Sequence, residues 1–168
     1  MKKLLCSAAL VGLLAVPSFV SAQVEISPQL SIAQDVDFGV GGSVAFPLEA
    51  LNDMVEGVVG FDLFFPGDNL GYWEIDALLR YMVELANPDV LPFVSAGLGI
   101  GNYSVDLPPG VPDLGFGLGS STQIGLKVGG GAKFNPGNSV SPWADLHLGI
   151  GDIPSFTLRV GAGFTVGG

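Results

Sequence analysis

The sequence predicts an all-β fold, an eight-stranded antiparallel transmembrane β-barrel of the up-and-down meander type, preceded by a cleaved signal peptide. Three observations lead to this prediction. Apolar and polar residues alternate along the chain, the polar face carries the charged residues and is rich in glycine, and turn residues divide the chain into eight segments. Alternation indicates strands, because neighbouring side chains on a strand point to opposite faces.

The first 22 residues have the pattern of an export signal. Lys2 and Lys3 precede an apolar stretch over 4–16, and the small residues near Ala22 resemble a cleavage site. A membrane anchor is the alternative, but the apolar stretch is shorter than the ~18–20 residues that span a bilayer. We therefore expect cleavage after Ala22, which divides the chain into a signal peptide at 1–22 and a barrel domain at 23–168.

The mature chain is apolar and strongly acidic. After cleavage it holds four cationic residues against sixteen carboxylates, a formal charge of −12, and it has no cysteine. Disulfides therefore play no part in its stability. The charge argues against nucleic acid as a partner, because phosphates would be repelled. No second apolar run is long enough for a transmembrane helix.

Proline, glycine, asparagine and aspartate mark the ends of the predicted strands. The eight segments are 24–34, 36–47, 55–65, 72–85, 91–105, 120–134, 140–150 and 155–166. Segments of this length can cross a bilayer at a tilt, which takes ~9–11 residues. If both ends of the barrel domain lie on the inner side of the membrane, the longest loop, 106–119, lies outside, as in known transmembrane barrels.

Segment 72–85 shows the alternation clearly, with Trp73, Ile75 and Leu79 on one face and Glu74 and Arg80 on the other. Across all eight segments, no charged residue falls on the apolar face. A soluble barrel also alternates, but its charged face meets water and carries more charges of both signs. We therefore expect the sparse charges to line a crowded lumen and the apolar face to contact lipid.

The stretch LPFVSAGLGIGNY at 91–103 places Gly97, Gly99 and Gly101 on one face of a strand. Glycine weakens a strand, so its repetition on one face needs a reason. We expect these glycines to face the lumen and leave space for the bulky side chains of segment 72–85. The opposite face of the same stretch, from Val94 to Ile100, is expected to lie against lipid.

Three stretches and the last strand carry a family resemblance: SPQLSIAQDVDFGVGGSVAFPL at 27–48, PFVSAGLGIG at 92–101, SPWADLHLGIGD at 141–152 and RVGAGFTV at 159–166. The mature chain resembles the small eight-stranded outer membrane β-barrel proteins of Gram-negative-type bacteria, related to the membrane domain of outer membrane protein A. Arg159, Gly161, Phe164 and Val166 match that family's assembly signal, although two glycines follow where the family often ends on an aromatic residue.

The resemblance implies a location in the bacterial outer membrane. It also implies contact with membrane lipids, including outer-leaflet lipid, and assembly by the outer membrane machinery with periplasmic chaperones. Aromatic residues near the predicted strand ends could form interfacial belts or be packing residues of a soluble barrel. They are Phe46, Phe65, Tyr72, Trp73, Tyr103 and Phe134.

The charged residues of the polar face predict a structural ion-pair network in the lumen, because unpaired buried charges are costly. Its expected members are Arg80, Lys127, Lys133, Arg159, Glu56, Asp62, Glu74, Asp76, Glu84, Asp145 and His147, and the same parity adds Glu25 and Asp37. Such a network favours a plugged barrel with a structural or surface-interaction role. The alternative is a narrow passive pore for ions or small solutes.

His147, the single histidine, follows Asp145 on one strand face, and Ser95 or Ser141 could complete a Ser-His-Asp set. Some barrels of the resembling family are lipid-modifying enzymes. A set sealed inside a packed barrel would not reach lipid, so we predict a non-enzyme. The glycine runs lack the spacing of nucleotide loops, and no His/Cys cluster indicates a transition metal, so we predict no cofactor and no metal.

Overall fold

A computed structural model describes residues 24–67, 70–105 and 120–167. The predicted signal peptide and the long loop at 106–119 lie outside the described residues. Eight strands are present: β1 (Val24–Ala33), β2 (Asp37–Pro47), β3 (Val55–Phe64), β4 (Leu70–Met82), β5 (Val90–Val105), β6 (Ser120–Phe134), β7 (Val140–Gly151) and β8 (Phe156–Val166). The largest difference from the predicted segments is at β4, which begins and ends earlier than 72–85. Within the described part of the chain, no helix is long and apolar enough to cross a membrane.

The eight strands form one closed barrel in which every strand pairs antiparallel with its neighbour in sequence. β1 closes the barrel on β8, with Ile26 opposite Phe164 and Ile32 opposite Leu158. Closure leaves no edge strand, so the backbone donors and acceptors of the strands are paired within the sheet. The predicted fold class, an eight-stranded antiparallel meander barrel, is confirmed.

The two faces of the sheet point as predicted. Leu79, Leu146 and Leu158 are 53%, 43% and 39% exposed on the outside of the barrel, whereas Arg80 and Lys127 are 3% and 1% exposed. A water-soluble barrel would show the reverse arrangement, with leucines enclosed and cations in water. The outer surface is thus an apolar band, and the buried charged side chains of the strands point into the lumen.

The glycines of β5 make room for β4, its paired neighbour: Gly101 for the Tyr72 side chain and Gly97 for the backbone. A Cβ added at Gly101 would lie 2.6 Å from the ring carbon Cζ of Tyr72, and a Cβ at Gly97 would collide with the backbone of Ala77. Contacts this short do not occur between real atoms, so any larger residue would push the two strands apart. The alternating glycines therefore set how closely β4 and β5 pack.

The barrel has two different ends. At the loop end, β1 connects to β2, β3 to β4 and β7 to β8; at the terminal end, β1 begins and β8 ends. The β1–β2 connection is tight, with Asp35 and Asp37 at φ values of 68° and 57°. Aspartate tolerates this left-handed conformation because its short side chain can hydrogen-bond locally.

Apolar side chains close the lumen at the loop end. Ala33, Val36, Phe64 and Tyr72 form a buried cluster, and Tyr103 packs against it with its ring centroid 4.3 Å from that of Tyr72. Tyr72 and Tyr103 are therefore packing residues of the lumen rather than members of an interfacial belt. The four buried residues and Tyr103 are called the apolar cap below.

Ile153, from the β7–β8 connection, is also buried at the loop end. Its side chain points into the barrel and packs against Gly125 and Gly149. A Cβ added at Gly125 would lie 2.5 Å from Ile153 Cγ1, and one at Gly149 would lie 3.0 Å from the same atom. Glycines on β6 and β7 thus form a socket for this side chain.

Candidate functional site

The candidate site is the charged interior of the lumen, and five strands supply its buried charged residues and the histidine. Asp62 comes from β3, Glu74, Asp76 and Arg80 from β4, Lys127 and Lys133 from β6, Asp145 and His147 from β7, and Arg159 from β8; all nine are buried. The period of two residues along each strand places them on the inner face. Eight of the nine belong to two clusters along the barrel axis, and His147 lies beside Asp145.

The central cluster consists of Asp62, Glu74, Asp76, Lys127 and Arg159. Lys127 Nζ forms ion pairs with Glu74 and, at 3.0 Å, with Asp76 Oδ1. Arg159 Nη2 lies 2.8 Å from Asp62 Oδ2 and 3.3 Å from Glu74 Oε1, and it also pairs with Asp76. Three carboxylates therefore share two cations in a region closed to solvent.

Neutral side chains hold the carboxylates of the central cluster in place. Gln29 Nε2 and Ser31 Oγ donate to Asp62 Oδ1 at 2.8 and 2.7 Å, and the Tyr72 hydroxyl donates to Glu74 Oε2 at 3.0 Å. Hydrogen bonds to a buried charged group stabilise its ionised form and its position. Gln29 and Ser31 were not among the predicted network residues, although their parity on β1 places them on the same face as Glu25.

The terminal-end cluster consists of Glu25, Glu56, Arg80, Lys133 and Asp145. Lys133 Nζ lies 3.0 Å from Glu56 Oε1 and 3.1 Å from Glu25 Oε2. Arg80 lies 3.6 Å from Glu56 and 3.8 Å from Asp145 through different guanidinium nitrogens. This cluster is less enclosed than the central one, because the side chains of Glu25 and Glu56 remain partly exposed.

Aromatic rings complete the surroundings of Arg80. Its guanidinium carbon lies 4.1 Å from the ring centroid of Phe93 and 5.8 Å from that of Trp143. A guanidinium over an aromatic face is attracted by the ring quadrupole. All four cations of the barrel domain thus lie in the lumen within ion-pair distance of at least one carboxylate.

Two acids assigned to the lumen by parity do not belong to either cluster. Glu84 lies beyond the end of β4 at Met82 and is exposed, and Asp37 is exposed at the start of β2. The expectation for Glu84 is wrong because parity assigns an inner face only while the strand continues. Asp37 departs from the same rule, because its left-handed backbone at the turn redirects the side chain.

Ser95, His147 and Asp145 lie in a row inside the barrel. Ser95 Oγ is 2.8 Å from His147 Nε2, and His147 Nδ1 is 3.3 Å from Asp145 Oδ1. The order of groups matches that of a Ser-His-Asp triad. All three side chains are buried, however, and Asp145 is also engaged by Arg80, so the row has no open side for a substrate.

Three carboxylates of the central cluster, Asp62, Glu74 and Asp76, offer oxygens within 4.8 Å of one another. Oxygen atoms grouped in this way suit a hard cation such as Ca²⁺ or Mg²⁺. Lys127 and Arg159 already supply positive charge to all three. The donor set therefore fits an internal ion-pair cluster.

The residues that match the assembly signal occupy two environments. Arg159 is buried in the central cluster, and Gly161 lies against the Trp143 ring, whose nearest atom is 2.6 Å from the position of an added Cβ. Phe164 and Val166 are exposed on the outside of β8. Arg159 and Gly161 therefore have packing roles in the finished barrel, in addition to any role in assembly.

The fold and lumen together define a class: a small eight-stranded β-barrel with an apolar outside and an ionic interior. No protein-family model matches the sequence, and the search of curated proteins found no match either. Solved structures do match. The N-terminal β-barrel domain of OprF from Pseudomonas aeruginosa is 19% identical with a TM-score of 0.67, over 86% of this chain and 97% of that chain.

Two further solved structures are similar. Neisserial surface protein A is 18% identical with a TM-score of 0.53, over 88% of this chain and 96% of that chain. Ail, the attachment invasion locus protein of Yersinia pestis, is 17% identical with a TM-score of 0.52, over 87% of this chain and 97% of that chain. At these identities the similarity shows a shared fold, that of small eight-stranded outer membrane β-barrels.

Proposed function

We propose that this chain is an integral outer membrane β-barrel with a structural or surface-interaction role and a lumen plugged by its own ionic side chains. One observation carries the proposal: leucines face outward while every cation of the barrel domain is enclosed and ion-paired. That arrangement is stable in hydrocarbon and unfavourable in water. The similar solved barrels support the same environment.

Export and orientation belong to the same proposal. The signal peptide at 1–22 directs the chain across the inner membrane, and assembly machinery and periplasmic chaperones deliver it to the outer membrane. The loop end faces outward, since transmembrane barrels place their longer loops on the extracellular side. The apolar cap and Ile153 then close the outer mouth, and the terminal-end cluster faces the periplasm.

Detergent dependence tests the membrane assignment. We expect the mature chain to precipitate or remain unfolded without detergent or lipid, and to migrate faster on a gel when it is folded and unheated. A chain that stays monomeric, folded and soluble in plain buffer would contradict the proposal, because a surface band of exposed leucines should associate in water.

Single-channel recording distinguishes the plug from the alternative function, a narrow passive pore for ions or small solutes. The plug is supported by two layers of ion pairs and by the apolar cap, which occupy successive levels of the lumen. We expect silent bilayers after insertion of the refolded protein. Steady conductance that scales with the number of inserted molecules would support the pore instead.

We also propose that the Ser95, His147 and Asp145 row is structural rather than catalytic. A nucleophile must reach the substrate carbonyl, and this serine is enclosed with its base. We expect no release of acyl chains from outer membrane lipids by the folded protein. Release that disappears in His147→Ala would instead support a lipid-modifying enzyme.

A further inference from the structure

A small cavity lies in the lumen between the central cluster and the terminal-end cluster. Its lining includes Asp76 and Arg159 from the central cluster and Arg80 and Asp145 from the terminal-end cluster, and its volume is about 10 Å³. A space of roughly 10–15 Å³ on this measure accommodates one water molecule. The cavity is therefore of the right size for a single small polar ligand.

Several residues that line this cavity carry unpartnered polar atoms. Among its lining residues, Arg80 Nε, Arg159 Nε and Trp143 Nε1 are buried donors with no hydrogen-bond partner among the described residues. Gln29 Oε1 is a buried acceptor that also has no hydrogen-bond partner among the described residues. Each of these side chains is at least nine-tenths buried. An unpaired donor or acceptor in such a setting costs about 1–3 kcal/mol.

The orientation of Gln29 follows from its neighbour. Its amide nitrogen donates to Asp62 Oδ1 at 2.8 Å, and a carboxylate accepts hydrogen bonds only, so the amide oxygen is the atom left over. The residues that line the cavity thus supply three donors and one acceptor. Turning the Gln29 amide over to present its nitrogen instead would break the hydrogen bond to Asp62.

We propose that this cavity is a binding site for one ordered water molecule that joins the two ionic clusters. Water accepts two hydrogen bonds and donates two, so it can accept from the Trp143 indole N–H and from one of the two guanidinium Nε–H groups, and donate to Gln29 Oε1. Its second hydrogen can be donated to Asp145, another lining residue, whose Oδ1 lies 3.3 Å from His147 Nδ1 but makes no hydrogen bond among the described residues. A metal cation fits less well, because the N–H donors of two cationic side chains and of Trp143 surround the cavity.

The two tryptophans of the chain provide a built-in comparison for the test. Trp143 is buried in the lumen at the cavity, whereas Trp73 lies on the outer face of β4. In the protein refolded in detergent micelles, the indole N–H of Trp143 should show cross-relaxation to water, with NOE and ROE of opposite sign. The Trp73 indole should not show this signature of bound water. Absence of such cross-relaxation at Trp143 would overturn the proposal.

A cavity-filling variant provides the second arm. Gly60 lines the cavity, and an added Cβ there would have its nearest contacts at 3.8 and 3.9 Å, so Gly60→Ala fits without collision. We expect this variant to fold and to lose the Trp143–water cross-peak. Gly137→Ala is the matched control, because a Cβ at this turn residue meets nothing within 4 Å, and the cross-peak should remain.

Two results in this arm would count against the water site. A cross-peak that persists unchanged in a folded Gly60→Ala would place the water elsewhere. A Trp143 indole shift that changes when sodium in the buffer is exchanged for lithium would identify a cation in the cavity instead. If Gly60→Ala does not fold, the comparison of Trp143 with Trp73 in the unmodified protein still decides the proposal.

Discussion

Arg80 shows how the lumen depends on single residues. The side chain joins the Glu56 and Asp145 carboxylates and stacks on Phe93, so it contributes charge and packing area together. The net value of a buried ion pair is small, since desolvation offsets much of the attraction. Removing one partner of such a pair is strongly destabilising, because the remaining charges stay buried without an opposite charge.

Arg80→Ala should therefore destabilise the barrel strongly, by about 3–5 kcal/mol, as expected when one partner of a buried pair is removed. The measurement is the urea midpoint of unfolding in detergent, monitored by the gel shift between folded and unfolded protein. Glu84→Ala is the control, because this acid is exposed and outside both clusters, and its effect should stay within about 0.5 kcal/mol. Equal midpoints for the two variants would contradict a structural network.

Strand β7 shows the separation of environments within one element. Leu146 and Leu148 point outward and are 43% and 54% exposed, while Asp145 and His147, which alternate with them, point into the lumen and are buried. Outward positions of a transmembrane strand meet hydrocarbon at mid-depth and the interface near the strand ends. The cost of an added charge should therefore depend on its position along the strand.

Leu146→Arg should lower the stability of the inserted barrel by about 2–4 kcal/mol, and Val140→Arg, at the first residue of β7, by only about 0–1 kcal/mol. Both residues are outward-facing, so the comparison isolates depth in the membrane. Refolding into lipid vesicles followed by denaturant titration gives the two values. Similar small effects at both positions would indicate a surface in contact with water.

The β7–β8 connection acts as part of the lumen packing, because Ile153 enters a socket formed by glycines. Ile153→Ala should cost about 2–5 kcal/mol, as for other buried isoleucine truncations. Leu51→Ala in the β2–β3 turn is the control, since Leu51 is 69% exposed. Differential unfolding in detergent measures both variants, and an Ile153→Ala midpoint equal to that of Leu51→Ala would exclude a packing role for this connection.

At the scale of the whole molecule, charge is distributed very unevenly. All cations of the barrel domain are enclosed, so the charged side chains exposed on the described surface are acidic, Asp35, Glu49, Asp53 and Asp152 among them. The formal charge of residues 23–168 is −12. Both ends of the barrel consequently carry negative potential, and neither offers a cation to lipid phosphates.

This imbalance predicts a dependence of folding on lipid charge. The chain should insert several-fold more slowly into vesicles that contain anionic phosphatidylglycerol than into vesicles of zwitterionic phosphatidylcholine, because like charges repel. Added salt should reduce the difference, since the Debye length falls from about 10 Å at 0.1 M to about 3 Å at 1 M. Insertion followed by gel shift gives the rates, and equal rates at low salt would contradict the electrostatic argument.

Alternation along the sequence was sufficient to determine the strands, the barrel and the orientation of its faces. The physical reason is local: the side-chain period of two forces Leu79 and Arg80 to opposite faces whatever the rest of the chain does. The same rule located Glu74, Asp76 and Lys127 in the lumen. It failed at Glu84 and Asp37, where the strand ends or the turn redirects the side chain, and such ends depend on tertiary contacts.

Only the tertiary structure decided which lumen residues meet. Lys127 pairs with Glu74 and Asp76 from a strand two positions away, and Ser95 of β5 meets His147 of β7 over Gly129 of β6, because the stagger of the strands sets the height of each side chain. The inward turn of Val36 and Ile153 was likewise beyond sequence reasoning, since connections have no fixed period. The chain by itself determined an apolar outside and an ionic inside; the pairing of charges, the apolar cap and the cavity between the clusters arise from the three-dimensional register of the eight strands.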